Sequence, residues 1–156
     1  MGTLKRVSGR LLRLLGGHDR VQEESMPRLL VVDDEESICF SMSEYFSHHG
    51  FKVDTARDVE EAEKLVQDTR YTVLIQDLRL GVNKSPDGLE LISVVRGASP
   101  DTRIVVLTAY GSAEMEDEAR ERGADAFLRK PKPLSQVAQV VQGLLESRPR
   151  RTARSA

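Results

Sequence analysis

Val73-Leu74-Ile75-Gln76-Asp77-Leu78-Arg79-Leu80 is a short apolar run that carries one carboxylate, Asp77, to its far end. Three other stretches have the same form: residues 29–32 ahead of Asp33 and Asp34, residues 104–107 ahead of Thr108, and residues 126–128 ahead of Arg129 and Lys130. Short apolar runs alternating with helical patterns read as buried parallel strands of an α/β fold. Parallel strands align their carboxyl ends along one edge, where open α/β sheets place their ligands. Acids, hydroxyl and lysine are therefore predicted to meet there, with Asp77 in the middle.

Between these runs the spacing turns helical. Ile38, Met42, Tyr45 and Phe46 mark one helix face, ended by Gly50. Phe51, Val53 and Thr55 alternate as a strand does, and Asp58 then caps a helix with Val59, Ala62, Leu65 and Val66 inward. Leu89, Ile92 and Val95 mark the next helix, after a polar loop at residues 81–87. Ser112 caps a highly charged helix at residues 114–122, stopped by Gly123, whose one sizeable apolar residue, Met115, lets it bury little. Pro133 opens the last helix, with Leu134, Val137, Val141 and Leu144 on its core face. Five strands and five helices in alternation predict a doubly wound α/β sandwich, whose strand order periodicity does not reveal.

Composition bounds the function. The 156 residues are 39% apolar and 31% charged, enough for one core and short for two. The formal charge of −2 conceals an asymmetry: residues 1–25 carry +2, residues 148–156 carry +4, and residues 26–147 carry −8. So acidic a body argues against direct nucleic-acid binding. Residues 1–25 read as a basic extension, either a short amphipathic helix or a disordered segment, and residues 148–156 as a disordered basic tail. Leu4, Val7, Leu11, Leu14 and Leu15 give residues 4–15 a basic amphipathic pattern that a membrane surface or partner could accept; frayed chain outweighs it, because so short an isolated helix is marginal in water. Met26 directly precedes the first strand, so residues 1–25 need not always be translated. A single cysteine, Cys39, reads as a buried packing thiol in a reducing compartment, and the lack of a membrane-length apolar run points to the cytoplasm. His48 and His49 close a helix with no third ligand nearby, and His18 carries no signal.

Asp33, Asp34 and Asp77 bring more negative charge than one pocket holds at neutral pH without a counter-charge. A hard divalent cation answers that need, and Mg²⁺ suits it best because it takes few protein oxygens and keeps other ligand positions for water or phosphoryl oxygens. Screened in this way, Asp77 is a plausible nucleophile toward phosphorus. Lys130 would supply positive charge to the transferred oxygens and Thr108 a hydroxyl donor.

Residues 29–35 (Leu-Leu-Val-Val-Asp-Asp-Glu), 73–77 (Val-Leu-Ile-Gln-Asp), 87–91 (Asp-Gly-Leu-Glu-Leu), 105–109 (Val-Val-Leu-Thr-Ala) and Lys130-Pro131 resemble, in order, the motifs of receiver domains of two-component response regulators. The resemblance covers residues 27 to 146 and implies a flavodoxin-like (CheY-like) fold with five parallel strands in the order 2-1-3-4-5. It implies that Asp77 accepts phosphate from a sensor histidine kinase or phosphotransfer protein, and that Asp33, Asp34, Asp77 and the backbone carbonyl of Arg79 hold Mg²⁺. By the same resemblance Thr108 and Lys130 contact the phosphoryl group, the Lys130-Pro131 bond is cis, and Phe127 is the aromatic partner of Thr108 in a switch. Output would pass to a downstream protein through the last two helices and the last strand.

This sequence departs from the family pattern in the loop from Asp77 to Gly88, which is longer, and in Gly81, where a proline is common. Arg79 and Tyr110 stand two residues after Asp77 and Thr108, where family members tune phosphate lifetime. The expectation is a stand-alone receiver that switches protein contacts. Its rivals are a phosphorylation-independent scaffold and a Mg²⁺-dependent phosphohydrolase; the latter class usually has an acid two residues after its nucleophile, where this chain has Arg79.

Overall fold

The computed structural model describes residues 25–80 and 87–147. The readings for residues 4–15 and His18, for the rest of the extension before Ser25, for loop residues 81–86 and for the tail at 148–156 lie outside the described residues. Among the described residues five strands and five helices alternate from Arg28 onward: β1 Arg28–Val32, α1 Glu36–His48, β2 Lys52–Ala56, α2 Val59–Asp68, β3 Val73–Gln76, α3 Asp87–Ala98, β4 Arg103–Thr108, α4 Ala113–Arg122, β5 Ala126–Arg129 and α5 Leu134–Glu146. All strand pairs are parallel, in the order β2-β1-β3-β4-β5. This is the predicted α/β sheet, and the order matches the one the resemblance implied.

The runs that decide the fold are buried on both faces. All four residues of β3 and all six of β4 are buried. Alternate residues of the sheet feed two cores. Leu30, Val32, Leu74, Ile104 and Val106 meet α2, α3 and α4, while Leu29, Val31, Val73, Ile75, Val105 and Leu107 meet α1 and α5. Helices on both faces are what buried parallel strands require. On the second face Phe46 lies edge-on to Phe51, ring centroids 5.7 Å apart, and is 1% exposed, a burial that stabilises by roughly 1.5–3 kcal/mol. Cys39 belongs to the same core as a free, buried thiol that donates to the Asp33 carbonyl.

The helix ends follow the sequence. Asp58 Oδ1 accepts the Glu61 N–H at 2.8 Å, and Ser112 Oγ accepts the Met115 N–H at 3.1 Å. Such a cap stabilises by about 1 kcal/mol. Gly123 ends α4 with φ at +121°, a conformation that side-chain-bearing residues rarely adopt. As its charge predicts, α4 buries only Ala119 fully. Among the described residues no helix is long and apolar enough to cross a membrane.

Candidate functional site

Parallel register brings the strand ends together. Val32 and Val106 flank Gln76 in the sheet, and the Asp77 N–H donates to the Val32 carbonyl at 2.9 Å, so Asp33 and Asp77 leave adjacent strands at one level. On the other side the Lys130 N–H donates to the Thr108 carbonyl, also at 2.9 Å. The Lys130–Pro131 peptide is cis.

Lys130 then reaches across the edge. Its Nζ donates to Asp33 Oδ2 at 2.8 Å and to Asp77 Oδ2 at 3.0 Å, and stands 3.8 Å from Glu35 Oε1. The remaining oxygens of the two aspartates are held by backbone. Asp77 Oδ1 accepts the N–H groups of Leu78 at 2.7 Å and Arg79 at 3.3 Å, and Asp33 Oδ1 accepts that of Glu35 at 2.9 Å. Both aspartates are nearly enclosed, 3% and 4% exposed, so their charge depends on these donors rather than on bulk water. The N-cap residue of α1 is Glu35, whose side chain makes no capping hydrogen bond and whose N–H donates to Asp33 Oδ1.

Burial pushes the Asp33 carboxyl above the ordinary Asp value; the hydrogen bonds from Lys130 and the Glu35 amide oppose this without cancelling it, and the charge of Asp77 adds to it. Burial lowers the Lys130 pKa, but hydrogen bonds and charge from Asp33 and Asp77 outweigh it, so the amine is held in its charged form. One ammonium thus serves several acids, because Asp33, Asp34 and Glu35 each offer an oxygen within 4.8 Å of the others. Such hard, anionic donors suit an oxygen-preferring divalent cation. Glu35 had no role in the sequence reading beyond its place in a motif; being next to two aspartates was its only signal.

Thr108 is fully buried at the end of β4, its Oγ1 accepting the Tyr110 N–H at 3.3 Å. Phe127 is 9% exposed and packs with the first core, with the Arg129 guanidinium 5.6 Å from its ring centroid. Gly111 lies against that ring: a Cβ there would come within 2.5 Å of Phe127 Cε1. The Arg79 guanidinium stacks 4.7 Å from the centroid of Tyr110, which is half exposed, joining the β3 side of the site to the β4 side.

Two residues beneath the acid went unread. Gln76, 1% exposed, donates from Nε2 to the carbonyls of Gly88 at 2.7 Å and Asp77 at 3.2 Å. Its Oε1 is buried without a hydrogen-bond partner, an arrangement that costs on the order of 1–3 kcal/mol. Gly88 permits the contact, since a Cβ there would lie 2.4 Å from the Asp77 carbonyl oxygen. The one legible signal was an amide standing in an otherwise apolar strand.

Residues 29–142 match the model of the response regulator receiver domain. Photosynthetic apparatus regulatory protein RegA of Cereibacter sphaeroides is 34% identical over 121 residues, 78% of this chain and 64% of that protein. Transcriptional regulatory protein PrrA of Mycobacterium leprae is 33% identical over 124 residues, 80% of this chain and 52% of that protein. The chain therefore spans between half and two thirds of the length of these curated relatives. Among solved structures, a Burkholderia pseudomallei response regulator with a phosphorylated aspartic acid, calcium ion and citrate superposes with a TM-score of 0.67 at 30% identity, over 78% of this chain and 75% of that one. Chemotaxis response regulator CheY4 of Vibrio cholerae gives 0.69 at 31% identity, over 77% and 99%.

Proposed function

The chain belongs to the family of response regulator receiver domains, and from that premise we propose that Asp77 accepts a phosphoryl group from a histidine kinase or phosphotransfer protein. The observation that carries this reading is the Lys130 ammonium shared between Asp33 and Asp77, at 2.8 and 3.0 Å, with Asp34 and Glu35 beside them. Asp77 Oδ1 is committed to two backbone N–H groups, so Oδ2 is the attacking atom. That oxygen forms the new O–P bond as the P–N bond of a phosphohistidine breaks. The electron pair leaves on the imidazole, which takes up a proton, and the product is an acyl phosphate.

Lys130, held in its charged form, exchanges the Asp77 carboxylate for phosphoryl oxygens, and the Thr108 hydroxyl donates to another of them. Asp33, Asp34 and Asp77, with the Arg79 carbonyl, would hold Mg²⁺, which when bound supplies divalent counter-charge to the acids and the entering group. The calcium ion and phosphorylated aspartic acid of the Burkholderia protein support this pairing of metal and modified acid. Thr108 and Phe127 form the switch: a hydroxyl drawn toward the phosphoryl group changes the packing next to an aromatic ring that already touches Gly111. The output surface is α4, β5 and α5, and the partner it meets is a protein. Residues 26–147 make up this receiver, with 1–25 and 148–156 as basic appendages.

The test is an NMR titration with Mg²⁺ and beryllofluoride. The expected result is a set of shifts centred on Thr108 and Phe127 that requires both additives and is lost in Asp77→Asn. An undiminished response in Asp77→Asn, or none in the wild type, rejects the reading.

A further inference from the structure

Gln76 breaks the pattern of its own strand. Its neighbours in register are Val32 and Val106, both buried in the core that packs under α2, α3 and α4. An apolar side chain would fill this place without leaving a buried carbonyl oxygen unmatched. Local rules are most often broken where a site needs something the packing does not.

The amide supplies two donors. Only Nε2 can face two carbonyl oxygens, so the side-chain orientation is fixed by chemistry: one N–H goes to Asp77 and the other to Gly88. Gly88 in turn donates its own N–H to the Leu78 carbonyl at 2.9 Å. The two ends of the loop between β3 and α3 are thus tied together directly beneath Asp77, eleven positions apart in sequence. The same short backbone, residues 77 to 79, provides the two N–H groups that orient the Asp77 carboxylate. The backbone that aims the acid rests on this amide.

We propose that Gln76 is a positioning residue for the phosphoryl acceptor: its amide, clamped between the Asp77 and Gly88 carbonyls, sets the backbone that aims Asp77 Oδ2 and thereby governs metal binding and phosphoryl acceptance without touching either group. This rests on the reading of Asp77 as acceptor. A residue that only packs would act differently, because a side chain of similar volume would replace it with no effect at the site.

The experiment uses the full chain with Gln76→Leu and Gln76→Met, which keep volume and remove both donors. Three quantities are read: thermal midpoint, Mg²⁺ affinity with the metal alone, and the rate of acceptance from acetyl phosphate. Amide hydrogen exchange on metal-free protein is the fourth. The expected result is an unchanged or raised midpoint, about tenfold weaker Mg²⁺ binding and about tenfold slower acceptance, following the usual size of outer-shell effects on metal sites. Exchange at Leu78, Arg79 and Gly88 should speed up selectively. Wild-type affinity, rate and exchange in both variants would overturn the inference, as would loss of folding in both, since the amide would then hold the core rather than the site. Failure of the wild type itself to accept phosphate overturns the acceptor reading along with it; wild-type acceptance with unaffected variants overturns this proposal alone.

Discussion

The two edges of the sheet each enclose a basic side chain, and they use it differently. At the amino edge, Arg96 donates to the carbonyls of Pro100 and Thr102, both at 2.7 Å, to that of Gly123 at 2.6 Å, and to Asp125 Oδ2 at 3.0 Å. Asp125 Oδ2 also accepts the Ile104 N–H at 2.8 Å. One cation meets one acid, and the spare N–H groups close the ends of α3 and α4 on the start of β4. At the carboxyl edge, Lys130 is divided between Asp33 and Asp77, with Asp34 and Glu35 close by. An ion pair backed by further N–H donors on backbone carbonyls makes a structural joint. Surplus negative charge around one ammonium suits an oxygen-preferring divalent cation and, under the proposed function, the phosphoryl group that follows it.

If that contrast holds, substitutions at the two edges should separate stability from chemistry. The largest effect is expected at the amino edge. Arg96→Met should cost about 3 kcal/mol in chemical denaturation, the low end of the range for breaking a buried ion pair because this pair is only part-buried, while acceptance per folded molecule stays at the wild-type level. Loss of acceptance in folded Arg96→Met would mean that the edges are not independent.

Gly111 probes the carboxyl edge from the side of the proposed switch. Gly111→Ala puts a Cβ into the Phe127 ring, so that ring should move outward, at a cost of about 1–3 kcal/mol, the usual range for overpacking. Aromatic NMR shifts of Phe127 would record the movement. An unmoved ring would detach Phe127 from the β4–α4 loop.

The smallest change in stability, and the sharpest contrast, is expected for Asp33→Asn. Burial holds the Asp33 carboxyl above its ordinary value of 3.8, so the charged form opposes folding. An acid raised in the folded state binds more protons there than in the unfolded chain. Stability from this group is therefore full below 3.8 and is lost as pH rises through the folded value. Metal-free Asp33→Asn should lie within about 1 kcal/mol of wild type at neutral pH, on the stabilising side, and lose this part of the pH slope. The matching change at the amino edge, Asp125→Asn, should destabilise. A larger loss from Asp33→Asn than from Asp125→Asn would invert the comparison.

The sequence and the structure agree most where the signal is local. The apolar runs at β1, β3 and β4, the caps Asp58 and Ser112 and the charged face of α4 all depend on neighbours a few residues away, and each stands as read. Asp33, Asp77 and Lys130 could be brought to one edge because parallel strands share a direction. What could not be read depends on which strands are neighbours and how closely backbones approach. Periodicity carries no strand order. Arg96 finds Asp125 across 29 positions, and Gln76 finds Gly88 across 12. The contact of Gly111 with Phe127 exists only once β4 and β5 are side by side.

Reductive trapping of the acyl phosphate tests the central claim most directly. Wild-type protein with Mg²⁺ and acetyl phosphate is treated with borohydride, and the peptide containing residue 77 is read by mass spectrometry. The account predicts conversion of Asp77 alone to the corresponding alcohol, homoserine, with none in the absence of the phosphodonor. Conversion at Asp33 or Asp34, or an unmodified Asp77 in protein that has taken up phosphate, would contradict it.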